Sequence, residues 1–296
     1  MKLQAPALNA LAATRAERFV ANTPMVATPY WLYSATEKSK GSIIMVHGYR
    51  GTHEGLAAIV GALPDFDCYV PDLPGFGESP ALKVRHNIEN YSLWLAEFVD
   101  ALNLKGKATI LAHSFGTIVV GSYAQSHDSE NLILINPVSA PALSGPRTIL
   151  SQLSRIYYRL AAVLPERAGR WLLSTKPIVW LVTEFMFIGK DKALKAWVDV
   201  QHQTYFSRFT STKTAAEGFE ASISNNLSDY AAKISSSVLL ICAQQDDITS
   251  IEQQREAAEL YKNAAYVELA NVGHLTHYQS PNELAQHARE FIMVQR

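Results

Sequence analysis

Short apolar runs recur along the chain at Ile43–Val46, Cys68–Val70, Ala108–Ala112, Leu132–Ile135, Val238–Ala243 and Tyr266–Leu269. Each is brief, mostly aliphatic and bounded by polar or turn-forming residues, the pattern of a strand buried on both faces. Between most of them the apolar positions shift to three- and four-residue spacing. This predicts helices over Glu54–Leu63, Tyr91–Leu102, Phe115–Ser126, Glu252–Tyr261 and Asn282–Val294. Strands alternating with helices imply an α/β fold, a mainly parallel sheet with helices on both faces. Residues 29–35 predict an added antiparallel edge strand. Within residues 1–20, Leu3, Ala7, Leu8, Leu11 and Ala12 fall at helical spacing, while Asn9, Thr14, Arg15, Glu17 and Arg18 interrupt them. That reads as a short amphipathic helix and not as a signal peptide, which needs an unbroken apolar core.

The alternation fails between about residues 140 and 225. Pro141, Pro146, Pro165 and Pro177 punctuate this stretch, and Trp171, Trp180, Phe185, Phe187 and Trp197 load it with large apolar side chains. The expectation is a helical cap over 140–225, inserted into a core made of 1–139 and 226–296. An ordinary run of packing helices is the alternative. The aromatics could line an apolar pocket or simply fill a core.

Composition narrows the function classes. At 296 residues the chain fits one large α/β unit. A net charge of −1 gives no basic excess to recruit nucleic acid. No stretch reaches the roughly 18 uninterrupted apolar residues of a membrane span. Cys68 and Cys242 each sit in a predicted strand and read as buried free thiols. A cytoplasmic protein is expected. No spacing suggests a metal site, and no cofactor is expected; the partner is a small-molecule substrate.

The candidate chemistry starts at Ser114. Thr109–Ala112 reads as a strand and Phe115–Val120 as the start of a helix, with Ala112-His113-Ser114-Phe115-Gly116 at the junction. A serine in so sharp a strand-to-helix turn is a nucleophile elbow, and the small residues two before and two after let strand and helix approach. A simple helix N-cap serine is the plain alternative. Upstream, Ile43–Val46 runs into His47-Gly48-Tyr49-Arg50-Gly51. The peptide N–H groups of Phe115 and Tyr49 are the candidate oxyanion donors. His47 reads as a structural hydrogen-bonding residue. Val70-Pro71-Asp72 leads into Leu73-Pro74-Gly75-Phe76-Gly77-Glu78-Ser79, a tight loop that lacks the Gly-Lys-Ser/Thr of a phosphate loop. After the last predicted strand comes Asn271-Val272-Gly273-His274, which makes His274 the candidate general base, with His277 and His113 as competitors. After Val238–Ala243 comes Gln244-Gln245-Asp246-Asp247, so Asp246, or less favourably Asp247, would orient the base.

Ser, Asp, His in that chain order, with the His-Gly loop and the Asp-Leu-Pro-Gly-Phe-Gly-Glu-Ser loop, resembles the α/β-hydrolase superfamily in its cap-bearing serine hydrolase branch. The resemblance spans residues 43 to about 295 and implies an esterase or a carbon–carbon bond hydrolase. Alanine replaces the usual first glycine of the elbow. Serine at 114, where some relatives carry aspartate, argues against cleavage of carbon–halogen bonds or epoxides. Arg50 stands where many relatives carry an apolar residue. It is a candidate for binding an anionic substrate; a surface arginine or an ion pair to Glu54 is the alternative. The expected function is hydrolysis of a carboxylic ester or thioester with a small to medium apolar acyl group. A carbon–carbon hydrolase or lyase acting on an anionic diketo or cyclic acid is a second reading. A non-catalytic receptor on the same fold is a third.

Overall fold

The structure is a computed structural model that describes residues 3–141 and 148–295; Pro146 lies outside the described residues. The elements follow in order: α1 (Ala5–Ala13), β1 (Ala16–Asn22), β2 (Ala27–Tyr33), β3 (Ser42–Val46), α2 (His53–Gly61), β4 (Asp67–Pro71), α3 (Ile88–Ala101), β5 (Ala108–His113), α4 (Phe115–Ala124) and β6 (Asn131–Ile135). Then come α5 (Thr148–Val163), α6 (Glu166–Ser174), α7 (Lys176–Met186), α8 (Lys192–Tyr205), α9 (Thr212–Ser224), α10 (Ser228–Ala231), β7 (Ser237–Ala243), α11 (Ile251–Ala258), β8 (Ala264–Leu269), α12 (Thr276–Gln279) and α13 (Pro281–Val294). The strands form one sheet in the order β1-β2-β4-β3-β5-β6-β7-β8. β1–β2 and β2–β4 pair antiparallel, and the other neighbours pair parallel. This is the α/β-hydrolase fold that the sequence implied.

Alternating side chains of the central strands feed two cores. Ile43, Met45, Leu111, Ile133 and Leu239 pack on one face with α2 and α13, through Leu56, Ile59, Leu284 and Ile292. Ile44, Val46, Ile110, Leu132 and Leu240 pack on the other with α3 and α4, through Trp94, Phe98, Ile118 and Val119. Burial of each such aliphatic side chain contributes about 1.5–3 kcal/mol. α3 shows how the local sequence cooperates. Asn87 caps it by accepting the Asn90 N–H, and Ile88, Tyr91, Trp94, Leu95 and Phe98 place its apolar stripe inward. Cys68 and Cys242 are buried free thiols, and burial pushes the Cys68 thiol up to about 12. No helix among the described residues is long and apolar enough to cross a membrane.

The structure corrects the sequence reading at both edges of the sheet. The strand expected at residues 29–35 is β2, and it is not the edge; β1 lies outside it. β1 occupies part of the stretch read as helix, which ends at Ala13. Most of β1 faces solvent, so its residues carry no apolar alternation to announce it. β8, read as buried on both faces, is the opposite edge and is buried fully only at Leu269. Between β6 and β7 lies the run α5 to α9, a helical insert with no strand among its described residues. The Asp72–Ser79 loop grips it. Gly77 donates its N–H to Arg208 O at 2.8 Å, and Thr210 donates to Gly75 O at 2.9 Å.

Candidate active site

The site forms at the carboxyl ends of the parallel strands, where open α/β sheets gather their functional loops. Ser114 follows β5 directly, with φ 53° and ψ −121°, a strained conformation for a residue with a side chain. The turn is held by the Ser114 N–H donating to Ile135 O at 3.0 Å and by Thr117, whose N–H and hydroxyl both donate to Ser114 O. Gly116 explains the tight approach: a Cβ there would lie 2.6 Å from Val46 O and 2.8 Å from His47 O. Gly48 is similarly close, since a Cβ would sit 3.3 Å from Ser114 Cβ.

His274 Nε2 lies 2.8 Å from Ser114 Oγ. Its Nδ1 lies 3.1 and 3.0 Å from the two carboxylate oxygens of Asp246. The carboxylate fixes the proton on Nδ1 and leaves Nε2 to accept from the serine hydroxyl. Asp246 is itself fixed, because Ile248 N–H donates to its Oδ1 at 2.6 Å. Asp247 lines the neighbouring cavity and does not face His274 Nδ1. Asp246 and His274 are both buried. The peptide N–H groups of Tyr49 and Phe115 have no acceptor among the described residues, and both residues border the cavity.

The other histidines have separate tasks. His47 accepts the Leu73 N–H on Nε2 at 2.9 Å and donates from Nδ1 to Gly48 O, which ties two loops together. His113 donates from Nε2 to His274 O at 3.0 Å, while Ser114 Oγ meets His274 Nε2. Burial, reinforced by the nearby His274, pushes the His113 imidazole down to about 3. His277 packs on His113 with ring centres 4.2 Å apart. Its burial and its histidine neighbours hold it neutral, well below the usual histidine range. His277 borders the cavity, and its Nδ1 lacks a hydrogen-bond partner among the described residues.

One residue that carries no motif signal organises the site. Asn136, at φ 43° just past β6, donates from Nδ2 to Gly273 O, His274 O and Thr276 Oγ1, and accepts the Ala243 N–H on Oδ1. It locks the loop of the candidate base to the end of β7. A second missed pair is Asp72 and His53. Burial alone would raise the Asp72 carboxyl, yet hydrogen bonding and charge from His53, helped by the Glu78 N–H, hold it below its ordinary value. His53, Glu54 and Asp72 bring three ligand-type atoms within 4.8 Å of one another. Both Asp72 oxygens already accept N–H groups, from His53 and from Glu78.

The cavity over Ser114 holds about 980 Å³, within the range of small-ligand sites. The insert supplies much of its wall, including Tyr158, Leu181, Phe185, Phe206 and Phe219. Of the five aromatics singled out by sequence, Phe185 alone lines it. Trp171 and Trp180 are exposed, while Phe187 and Trp197 pack with Leu275 and Tyr278. Arg50 is 2% exposed, neither a surface residue nor an ion pair to Glu54. Its Nε donates to Phe206 O, Nη1 to Tyr158 Oη and Nη2 to Leu173 O, and its guanidinium lies 4.2 Å from the centre of the Phe206 ring. Arg50 borders the cavity, but these donors face the insert. Glu54 pairs instead with His53 and Arg208.

Residues 41–281 match the sequence profile of the α/β-hydrolase fold. The chain belongs to that family. Solved α/β-hydrolases share its whole architecture at low identity. The enol-lactonase of Burkholderia xenovorans LB400 superimposes with a TM-score of 0.77 at 19% identity, covering 93% of this chain and 100% of its own. A thermophilic esterase of Thermogutta terrifontis does so at 0.75 and 19% identity, covering 94% and 99%. A carboxylesterase of Bacillus subtilis does so at 0.70 and 16% identity, covering 97% and 95%. No curated protein matches the chain by sequence. The protein is an α/β-hydrolase enzyme, and a small-molecule substrate fits that class.

Proposed function

We propose that this α/β-hydrolase cleaves carboxylic esters or thioesters of small to medium apolar acids, with Ser114 as nucleophile, His274 as general base and Asp246 as its orienting acid. The observation that carries the reading is the linear series Asp246–His274–Ser114, with contacts of 3.0 and 2.8 Å, opening into an apolar cavity. The esterases among its structural neighbours are consistent with it. In this mechanism His274 Nε2 takes the Ser114 proton as Oγ attacks the carbonyl carbon. Asp246 stabilises the imidazolium that forms. The N–H groups of Tyr49 and Phe115 receive the developing oxyanion, each worth about 3–4 kcal/mol by analogy with measured cases. His274 then protonates the leaving alcohol or thiol and activates the water that releases the acid. The insert acts as a cap that supplies the acyl pocket. Arg50, spent on the insert's acceptors, gives no support to the anionic-substrate alternative.

The test is turnover of p-nitrophenyl butyrate and hexanoate together with labelling by a fluorophosphonate probe. Hydrolysis and labelling by the native protein, both lost in Ser114→Ala, support the proposal. A folded native protein that neither labels nor turns over these esters sinks it.

A further inference from the structure

α5 is amphipathic, and its apolar side faces the wrong way for a core helix. Ser151, Ser154 and Tyr158 line the cavity, whereas Ile149, Leu153, Ile156, Leu160 and Val163 face outward. Ile149 is 75% exposed, Ile156 62% and Val163 80%. Their spacing of three and four residues makes one continuous stripe along the helix. α6, packed against α5, adds Trp171 at 70% exposure, and α7 adds Trp180 and Leu181. Leu150, Leu181 and Phe185 are both exposed and part of the cavity wall, so the apolar surface runs to the mouth of the pocket. A monomer rarely leaves so extended an apolar face in water without a partner for it.

Charge identifies the partner. Residues 140–225 hold 11 Lys and Arg against 6 Asp and Glu, in a chain whose net charge is −1. Arg167, Lys176, Lys190 and Lys192 are exposed and have no acidic partner among the described residues. Arg167 and Lys176 flank Trp171 in sequence. An apolar stripe, an exposed tryptophan and exposed cations without an acidic partner among the described residues are the features that hold an amphipathic surface at the boundary between lipid headgroups and acyl chains. The same cations disfavour a second copy on this face, because a twofold contact sets the positive inserts against each other. We propose that the outer face of the helical insert, centred on α5 and Trp171, docks on an anionic lipid surface. This goes beyond the esterase reading and stands on the surface alone. If that reading also holds, docking turns the pocket mouth toward the lipid, and an acyl chain enters without crossing water.

Sedimentation of the native protein with phosphatidylglycerol/phosphatidylcholine vesicles, and with phosphatidylcholine alone, tests this. At least tenfold stronger partitioning onto the anionic vesicles, weakened by salt, is expected. The triple variant Ile156→Ser, Val163→Ser, Trp171→Ser loses binding to both, and Arg167→Glu, Lys176→Glu loses the anionic preference. Melting curves check that both variants fold, and p-nitrophenyl butyrate turnover in solution stays at the native value. The proposal is overturned if native protein stays in the supernatant. It is equally overturned if the triple variant sediments as before, or if the face proves to be a dimer contact, with the native protein dimeric, the triple variant monomeric and vesicle binding absent. A native protein that binds vesicles but hydrolyses no ester fails the function proposal and leaves this one standing.

Discussion

Asn136 Nδ2 lies 3.0 Å from the carbonyl oxygen of His274, while the opposite end of the same amide takes the Ala243 N–H at 2.9 Å. One side chain therefore sets the distance between the loop of the candidate base and the strand end that leads to its candidate orienting acid. Asn136→Gly preserves the positive φ and removes these hydrogen bonds. Orphaning the buried groups should cost about 1–3 kcal/mol in urea unfolding. Misplacement of the imidazole should lower kcat by about 10²-fold with KM little changed. A variant destabilised to that extent but with native kcat would refute the positioning role.

The two adjacent aspartates should behave very differently. Asp246→Asn leaves the imidazole without its anionic partner and should lower kcat by about 10⁴-fold, by analogy with the corresponding change in a serine protease. Asp247→Asn should cost less than about tenfold, because its carboxylate does not face Nδ1. Steady-state kinetics on one p-nitrophenyl ester suffices, and the reverse ranking would reassign the orienting acid.

Gly116 has no room for a methyl group. Gly116→Ala must displace the Val46 and His47 carbonyls, and with them the loop that carries the Tyr49 N–H. Overpacking of this kind typically costs about 1–3 kcal/mol. The expected result is a lower melting temperature and a loss of activity larger than instability explains. Native melting and kinetics in this variant would mean that the elbow packs more loosely than these distances indicate.

Arg50 joins the His-Gly loop to α5, to α6 and to the residue that ends α8. Arg50→Met should destabilise the protein by about 2–4 kcal/mol, since two buried acceptors and one half-buried one lose a charged donor. KM should rise to the same degree for neutral and for carboxylate-bearing esters. A rise confined to the charged substrate would restore Arg50 as an anion-binding residue.

Acid should weaken the fold before its carboxylates titrate. His113 and His202 are held at about 3 and about 4, chiefly by burial, and His47 and His277 are lowered for the same main reason. An unfolded histidine takes up its proton near pH 6.5. The unfolded state therefore binds more protons below that pH, and the stability present above 6.5 drains away as pH falls toward 4. His113 and His202 each contribute about 1.4 kcal/mol per pH unit in that window, and His47 and His277 act in the same direction. Urea midpoints at pH 7 and 5 should differ clearly, and His202→Gln should shrink the difference. A midpoint that does not move between these pH values would contradict the burial of neutral imidazoles.

What the sequence made legible was chemistry carried by short local signals. The strand–turn–helix junction at Ser114 and the Gly-His after the last strand depend on neighbours a few residues away, so they stand out in one dimension. The strands at the centre of the sheet were legible because both their faces are buried. β1 was not, because Phe19 and Val20 face solvent and only pairing with β2 makes that segment a strand. Asn136 was hidden for another reason: its partners lie 107 to 140 residues away. The choice between Asp246 and Asp247 was left open because both end the same strand, and the fold of the loop decides which one meets the imidazole. Large apolar size does not reveal on which side of a helix a residue falls, and Trp171 and Trp180 face outward instead of packing in a core or lining the cavity.

Ser114, Asp246 and His274 sit at the ends of β5, β7 and β8, and 160 residues separate the serine from the histidine it touches. β8 is an edge strand held by β7 alone within the sheet. The serine turn and the imidazole that touches it therefore belong to distant parts of the chain, and only the pairing of β8 with β7 brings the second to the first. In the proposed mechanism ester turnover thus reports the docking of this sheet edge, and a chain that keeps the Ser114 turn but loses β8 is silent toward any ester.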